Sequence, residues 1–185
     1  MSSTVETRQI EREKAATSVL DANRAAHRTL AVAESCTGGM VSAALTDIPG
    51  SSDVFSAGFI TYSANAKQSQ LDVSSEILET FGQVSLATAW AMAAGALANS
   101  DADVAVAITG IAGPGGGSEK KPVGQVVFAR ALRGQDTDDY FTQRVQFDSD
   151  DRAAIRHAAT MFALDLFQPE RDSLRPSEDI ALPAP

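Results

Sequence analysis

The chain has 185 residues, of which 44% are hydrophobic, and a formal net charge of -9 at pH 7. This length suits one domain with a sizeable core, and the acidic balance argues against a nucleic-acid backbone or an anionic membrane as the main partner. The single cysteine excludes an internal disulfide, and no apolar run is long enough to span a bilayer. The expected location is therefore the cytoplasm.

The first half of the chain alternates helix and strand patterns. Residues 4–27 mix charged and apolar side chains in the manner of an amphipathic helix that lies on a domain. A short apolar strand is predicted over 29–33, followed by a helix from about Met40, and a second strand over 55–62. Two short helices and a long alanine-rich helix over 86–98 come next, the latter predicted by the high helix propensity of alanine.

The second half predicts three further strands and one helix. Residues 103–109 form a near-continuous apolar run, typical of a strand covered on both faces. A loop rich in glycine and proline spans 110–124, and strands over 125–132 and 140–147 are expected to pair as an antiparallel hairpin. A final helix over 150–167 completes one α/β domain over 1–167 with a mixed sheet, and the tail over 168–185 is expected to be loose because it has little apolar surface.

Polar clusters follow three of the predicted strands. They are Glu34-Ser35, Tyr62 and Thr109-Gly110. Since ligands of α/β sheets bind outside the carboxyl ends of the strands, these positions predict one site.

The stretch Ala-Glu-Ser-Cys-Thr-Gly-Gly at 33–39 joins a predicted strand to a predicted helix. A nucleophile at Ser35 would have the free amides of the helix start beside it as anion-stabilising donors. The alternative is an ordinary helix start, in which Ser35 or Thr37 caps the helix and the glycines only make the turn. Cys36 is the rival nucleophile, although lone cysteines usually behave as small buried hydrophobic residues.

Other motifs are less specific. The loop over 110–117 matches neither G-x-G-x-x-G nor a Walker A sequence, so it is either a cradle of amide donors for a phosphate or carboxylate or a flexible surface loop. Lys67, taken alone, is expected to be solvated. His27 and His157 lack partners at metal-ligand spacing and are expected at solvated helix positions, so no metal site is predicted.

Five ordered motifs together are similar to those of one known family. They are the stretch at 33–39, Thr-Tyr-Ser at 61–63 with Ala-Lys at 66–67, Thr-Gly-Ile-Ala-Gly-Pro-Gly at 109–115, Lys-Pro-Val-Gly at 121–124, and Asp-Arg at 151–152. Over residues 19–166 the chain resembles the CinA C-terminal domain family, the nicotinamide-nucleotide amidohydrolases. It departs from the family's usual pattern at 64–65 and at 83, where no proposed catalytic group is lost.

The resemblance implies a compact three-layer α/β/α domain with a mostly parallel mixed sheet. It also implies hydrolysis of the carboxamide of nicotinamide mononucleotide to nicotinate mononucleotide and ammonia, with no cofactor and no metal. Carried over by position, Ser35 is the nucleophile, Lys67 is its base, and Tyr62 holds the two in register or relays the proton. The other matched positions are expected to bind substrate: Glu34, Cys36, Thr37, Gly38, Thr109, Gly110, Gly113, Gly115 and Arg152.

This mechanism sets requirements that a structure can examine. Lys67 needs a pKa well below its reference of about 10.4, which burial beside apolar strand ends can provide. The 5′-phosphate needs donors, either the amides of 113–117 or Arg152. Glu34 is expected to pair with Lys67 or Arg152, or else only to end its strand.

Two rival functions remain open at this stage. One is a nucleotide-binding module without turnover in a competence or DNA-repair pathway, as the family's name suggests, and the other is hydrolysis of a different amide. In each case the expected partner is a small molecule rather than nucleic acid or membrane, and a homo-oligomer is left open. Since the segment before Leu30 is short, the chain is expected to be the stand-alone form of the family.

Overall fold

A computed structural model of the chain describes residues 4–175 and 180–183. The helices are α1 (Thr4–Ala25), α2 (Met40–Thr46), α3 (Ala64–Leu71), α4 (Ser75–Phe81), α5 (Leu86–Ala98) and α6 (Arg152–Leu166). The strands are β1 (Leu30–Glu34), β2 (Phe55–Ile60), β3 (Val104–Gly110), β4 (Gln125–Leu132), β5 (Phe141–Asp148) and β6 (Ile180–Pro183). The predicted elements are present, and the helix over 86–98 has the predicted bounds.

The strands form one mixed sheet in the order β2-β1-β3-β4-β5-β6. β1 is parallel to both β2 and β3, whereas β4 is antiparallel to β3 and to β5. The predicted late hairpin is therefore β4–β5, and the α/β class is confirmed. Because β1, β2 and β3 run the same way, their carboxyl ends meet at one edge of the sheet.

The residues of β1 and β3 alternate in size between the two faces of the sheet. Larger side chains such as Val32 and Ile108 point to the face covered by α1, α2 and α6, whereas alanines such as Ala33 and Ala107 face α5. Small residues let α5 approach the sheet closely, and its Gly95 lies against the Leu71 backbone, where a Cβ would be 2.1 Å from the carbonyl oxygen. The result is the expected three-layer arrangement.

Serine side chains begin three of the helices, as their positions predict. Ser63 accepts a hydrogen bond from the amide of Ala66, and Ser74 from that of Ile77, which starts α3 and α4. The cap at Ser63 matters most for function. It begins α3 immediately after β2, so that the first turn of the helix lies at the carboxyl edge of the sheet.

The expectation of a loose tail is not met by the described residues after Gln168. Residues 169–171 form a 3-10 turn, and β6 pairs in parallel with β5. The carboxylate of Asp172 accepts hydrogen bonds from Arg28 and from the buried Arg130. These contacts hold a segment whose own apolar surface is too small to order it, and residues 176–179 and 184–185 lie outside the described part of the chain.

Candidate active site

The centre of the site is a contact between two side chains that lie 32 positions apart. Lys67 Nζ donates hydrogen bonds to Ser35 Oγ at 3.0 Å and to the carbonyl oxygen of Thr61 at 2.6 Å. Ser35 directly follows β1, and Lys67 lies in the first turn of α3, so the parallel pairing of β1 with β2 brings them together. The predicted pair of a hydroxyl and an amine is thus within proton-transfer distance.

Lys67 is fully buried, contrary to what a lone lysine in the sequence suggests. Desolvation by burial lowers its pKa from 10.5 to about 8. Among the described residues, its hydrogen-bond partners are a hydroxyl and a carbonyl oxygen, and none is a carboxylate. Its surroundings therefore favour the neutral amine, which is the form that can accept a proton.

The turn after β1 has the backbone that its glycines predict. Gly38 and Gly39 have φ angles of 60° and 94°, a region that side chains with a Cβ rarely adopt. The amide of Gly38 donates to the Ser35 carbonyl oxygen. Within the described residues the amide of Thr37 donates to no acceptor and remains available beside Ser35, whereas the amide of Cys36 lies against its own thiol.

Burial shifts the pKa of Cys36 in the opposite direction to that of the nearby Lys67. The thiol is buried, and desolvation raises its pKa to about 12, so it stays protonated at neutral pH. A protonated thiol is a poor nucleophile, and Cys36 has no general base comparable to the amine beside Ser35. The electrostatics of the turn favour the hydroxyl over the thiol.

A cleft of about 260 Å³ opens beside Ser35. Arg152 spans one side of it, where Nη1 donates to the Gly113 carbonyl oxygen at 2.6 Å and Nη2 to the Tyr62 hydroxyl at 3.2 Å. Of the predicted site residues, seven besides Ser35 line this cleft. They are Cys36, Tyr62, Thr109, Gly110, Gly113, Gly115 and Arg152.

The chain is similar to proteins of one known family. The model of the CinA C-terminal domain family matches residues 12–170, most of the chain. The chain belongs to the CinA C-terminal domain family. This assignment agrees with the resemblance carried by the five sequence motifs.

Solved structures of relatives share the fold of this CinA domain. A competence/damage inducible protein, CihA, from Agrobacterium tumefaciens is 43% identical with a TM-score of 0.80, over 84% of this chain and 93% of that one. A CinA superfamily protein from Klebsiella pneumoniae is 36% identical with a TM-score of 0.81, over 88% and 99%. These similarities establish the family, and the names do not specify a reaction.

Curated relatives are much longer than this CinA domain. A CinA-like protein from Syntrophotalea carbinolica is 50% identical over 137 residues, which are 74% of this chain and 32% of that protein. A CinA-like protein from Chlorobium phaeovibrioides is 52% identical over 115 residues, 62% of this chain and 27% of that protein. The chain thus spans between a quarter and a third of the length of these relatives.

Glu34 has a different role in this CinA domain from any that the sequence predicted. Its buried carboxylate accepts hydrogen bonds from the amides of Gly39 and Ser42 and from the Ser42 hydroxyl, at 2.9, 2.9 and 2.7 Å. It is therefore the cap of α2, in place of Ser35 or Thr37, and it pairs with neither Lys67 nor Arg152. A carboxylate at a helix N-terminus is favoured by the helix dipole, and here it frees Ser35 for the cleft.

Three other predicted site residues of this CinA domain lie away from the contact between Ser35 and Lys67. Tyr62 is 61% exposed, and its hydroxyl meets Arg152 instead of the Ser35–Lys67 pair. Thr37 is fully buried, and neither it nor Gly38 is among the residues that line the cleft. Of the residues that follow Ser35 in the turn, Cys36 lines the cleft and Thr37 and Gly38 do not, so closeness in sequence alone does not place a residue there.

Two residues at the candidate site were not singled out in the sequence. Gln83 lines the cleft, and its carbonyl oxygen accepts a hydrogen bond from the Thr109 hydroxyl at 2.7 Å. Arg156 donates from Nε to the Cys36 carbonyl oxygen at 3.1 Å and from Nη2 to that of Thr37 at 2.6 Å. The only signal for Arg156 was its place one helical turn after Arg152 in the predicted final helix.

Arg156 sets the direction of one amide in the turn. The carbonyl of Cys36 and the amide of Thr37 belong to the same peptide unit, and in a trans peptide these groups point in opposite directions. Since Arg156 holds the carbonyl on the side of α6, the Thr37 amide is directed away from that helix. The arginine therefore orients a donor beside the nucleophile without itself lining the cleft.

The described residues contain neither a metal-ligand cluster nor a membrane-spanning helix. Within residues 4–175 and 180–183, no group of three or more histidine, cysteine or acidic side chains could hold a metal ion. His157, expected to be solvated, is buried and hydrogen-bonded to Glu11. Over the same residues, every helix is too short or too polar to cross a bilayer.

Proposed function

We propose that this CinA domain is an amidohydrolase that converts nicotinamide mononucleotide to nicotinate mononucleotide and ammonia. The observation that carries the proposal is the 3.0 Å contact between Ser35 Oγ and the buried amine of Lys67. A serine needs an adjacent base before it can attack an amide, and Lys67 is the basic group in contact with it. The choice of substrate rests on the resemblance of the five sequence motifs to the nicotinamide-nucleotide amidohydrolases.

The lowered pKa of Lys67 makes the amine usable near neutral pH. With a pKa of about 8, roughly one lysine in ten is neutral at pH 7. At the reference pKa of the free side chain, only about three in ten thousand would be neutral. Burial thus increases the fraction of competent base by more than two orders of magnitude.

The reaction follows as two acyl transfers. Lys67 removes the proton of Ser35, and Oγ forms a bond to the carboxamide carbon of the substrate. The carbon–nitrogen bond then breaks, and the nitrogen leaves as ammonia with the proton that Lys67 returns. A water molecule that gives its proton to the same amine attacks the acyl-enzyme, which releases the carboxylic acid and restores Ser35.

The turn after β1 offers donors for the developing oxyanion. The amides of Cys36 and Thr37 are adjacent to Ser35, and that of Thr37 is oriented through the hydrogen bond from Arg156 to the Cys36 carbonyl. Amides fixed in this way stabilise negative charge without having to reorganise during the reaction. The Gly38 amide donates to the Ser35 carbonyl oxygen, so we do not include it among the donors for the oxyanion.

The cleft is suited to a small ligand that carries a phosphate. Arg152, Gly115 and Gly116 line it together with Ser35, so both candidate sets of phosphate donors lie in the same cleft as the nucleophile. A guanidinium can bind phosphate through two parallel hydrogen bonds. We infer that the phosphate lies between Arg152 and the glycine loop, and that the carboxamide lies over the turn after β1.

The proposal is tested by incubating purified protein with nicotinamide mononucleotide and assaying ammonia. Turnover is expected in the wild type and in Cys36→Ala, and its loss in Ser35→Ala and Lys67→Ala, each shown to be folded by its thermal unfolding transition. Full activity in Lys67→Ala would exclude the serine–lysine pair. Loss of activity in Cys36→Ala with retention in Ser35→Ala would replace it by a thiol mechanism.

The same assay separates the rival functions. A binding module without turnover would bind the nucleotide saturably, as measured by calorimetry, and release no ammonia. A hydrolase of another amide would release more ammonia from nicotinamide riboside or a simple amide than from the mononucleotide. Preference for the mononucleotide over its riboside, together with loss of that preference in Arg152→Gln, is the result expected here.

A further inference from the structure

A second cavity, of about 140 Å³, is lined by Arg156, which also contacts the turn after β1 through the carbonyl oxygens of Cys36 and Thr37. It is formed between α1 and α6, with Met40 of α2 at its side, and three arginines line it: Arg8, Arg12 and Arg156. Arg152 lines the cleft and Arg156 lines this cavity, and the two cavities have no lining residue in common, so we treat them as separate sites. Three guanidinium groups around one small cavity are unexpected in a chain with a net charge of -9.

Carboxylates balance only part of this positive charge. Arg8 is paired with Asp151 at 3.5 Å. Arg12 donates from Nη1 to His157 Nδ1 at 3.2 Å, and Arg156 donates to two carbonyl oxygens. Within the described part of the chain, neither Arg12 nor Arg156 has a carboxylate partner. Two half-buried guanidinium groups thus face one cavity without a counter-ion.

The histidine between them supplies no negative charge and is held neutral. Arginine can only donate, so Nδ1 of His157 accepts from Arg12, and Nε2 carries the proton that is donated to Glu11 Oε2 at 3.0 Å. Burial and the charges of Arg12 and Arg8 lower the pKa of His157. The carboxylate of Glu11 is therefore engaged with the imidazole.

We propose that the cavity between α1 and α6 is a binding site for a phosphate-class oxyanion, held by Arg12 and Arg156. The guanidinium is the side chain best matched to phosphate, because its N–H groups form paired hydrogen bonds with two of the oxygens. Arg156 uses Nε and Nη2 for the carbonyls of Cys36 and Thr37, which leaves Nη1 for such a ligand. The ligand is either free phosphate or the phosphate group of a phosphomonoester.

The site does not depend on the proposed activity and is tested by binding. Wild type and variants are titrated with inorganic phosphate and with ribose 5-phosphate by calorimetry, at constant ionic strength and without nucleotide. To remove any contribution from the cleft, the titrations are made in the Arg152→Gln background. Saturable binding is expected there, and the addition of Arg12→Gln is expected to weaken it at least about tenfold, the loss typical of one hydrogen bond to a charged group.

Lys14→Gln is the matched control, because it removes one positive charge from an exposed position on the same helix. It is expected to leave the affinity unchanged. Tighter binding of ribose 5-phosphate than of phosphate would identify a phosphomonoester as the ligand, and the reverse would identify the free ion, both within the proposal. The proposal is overturned if Arg152→Gln abolishes binding, or if Arg12→Gln and Lys14→Gln have equal effects.

NMR of the wild-type protein tests the same site without a substitution, so its result does not depend on whether a variant folds. The Nε–H resonances of Arg12 and Arg156 are followed by NMR while phosphate is added to the wild-type protein. Both are expected to shift with the same saturation curve, whereas that of the exposed Arg171 stays constant. If neither resonance moves at phosphate concentrations that saturate the calorimetric signal, the ion binds elsewhere and the assignment is wrong.

Discussion

Lys67 and Arg130 both carry buried basic groups, but within the described residues Arg130 contacts a carboxylate and Lys67 does not. Arg130 is 3% exposed and donates to the carboxylate of Asp172 and to the carbonyl oxygen of Leu166. Lys67 is fully buried, and within the described residues it donates to a carbonyl and a hydroxyl and to no carboxylate. A buried cation with a carboxylate keeps its charge and joins segments of the chain, whereas one without a carboxylate is arranged to lose its proton.

The largest effect is expected when Lys67 is made unable to lose its proton. In Lys67→Arg the charge and the donor capacity stay, but a guanidinium is always protonated and cannot accept a proton from Ser35. Amide hydrolysis is expected to fall by at least about a thousandfold, within the range for loss of a general base. Steady-state ammonia release measures it, with Lys14→Arg on the exposed face of α1 as the control.

A much smaller loss of activity in Lys67→Arg would weaken the contrast between Lys67 and Arg130. Activity in Lys67→Arg within tenfold of the wild type would mean that Lys67 acts through its charge alone, as Arg130 does. The base would then have to be another group in contact with Ser35.

The pH dependence of kcat/KM is the next largest expected effect. Lys67 must be neutral to act as a base, and its pKa is about 8, so kcat/KM should rise with pH and level off above that value. Between pH 6 and pH 9 the neutral fraction, and with it kcat/KM, increases about a hundredfold. A profile that is flat over this range would show that Lys67 is not titrating in the free enzyme.

The stabilities of two methionine variants should separate the two buried cations. Arg130→Met removes the hydrogen bond to the buried Leu166 carbonyl and one partner of Asp172, which is expected to cost about 2 kcal/mol of unfolding free energy. Lys67→Met is expected to cost less than about 1 kcal/mol at pH 7. Urea unfolding of both variants measures the difference.

The small cost of Lys67→Met follows from the sign of its pKa shift. The pKa is about 8 in the folded state and 10.5 in the reference state, so the folded state binds the proton less tightly. Below pH 8 the protonated amine therefore destabilises the fold by up to about 3 kcal/mol, a penalty that fades as pH rises towards 10.5. Methionine removes this penalty, which offsets the lost hydrogen bonds. A larger loss of stability in Lys67→Met than in Arg130→Met would reverse the comparison.

The elements around Lys67 follow from local sequence patterns, whereas the contacts of Arg130 do not. Ser63 predicts the start of α3, and the apolar strands predict where polar residues meet, because the carboxyl ends of parallel strands share an edge. The burial of Lys67 is a tertiary property that its helical segment alone does not reveal. For that reason a solvated lysine was the expectation from the residues alone, and only the family resemblance favoured a base.

The C-terminal segment shows why contacts between distant parts of the chain could not be predicted from the sequence. Asp172 is held by Arg28, 144 positions away, and by Arg130, 42 positions away. Neither partner is marked by spacing or by a motif, so composition alone predicted a loose tail. Glu34 is similar, since a carboxylate placed five positions before the first amide that it caps is outside the usual spacing of helix caps.

Arg156 offers the smallest of the expected effects, and it tests what a cation that does not contact Ser35 contributes at this site. It is bonded to the carbonyls of Cys36 and Thr37, which orients the Thr37 amide. In Arg156→Gln we expect kcat to fall about tenfold with little change in KM, because an oxyanion donor acts in the transition state and not in the bound ground state.

The separate effects of Arg156→Gln on kcat and on KM distinguish a residue that orients the Thr37 amide from one that contacts the substrate. Arg156→Lys can contact only one of the two carbonyls well and should be intermediate, and both variants should keep the pH profile of the wild type, since Lys67 is untouched. A rise in KM with unchanged kcat would mean that Arg156 contacts the substrate, which its absence from the lining of the cleft argues against. A shift of the pH profile would mean instead that its charge acts on Lys67, so that the two cations could no longer be treated as separate in role.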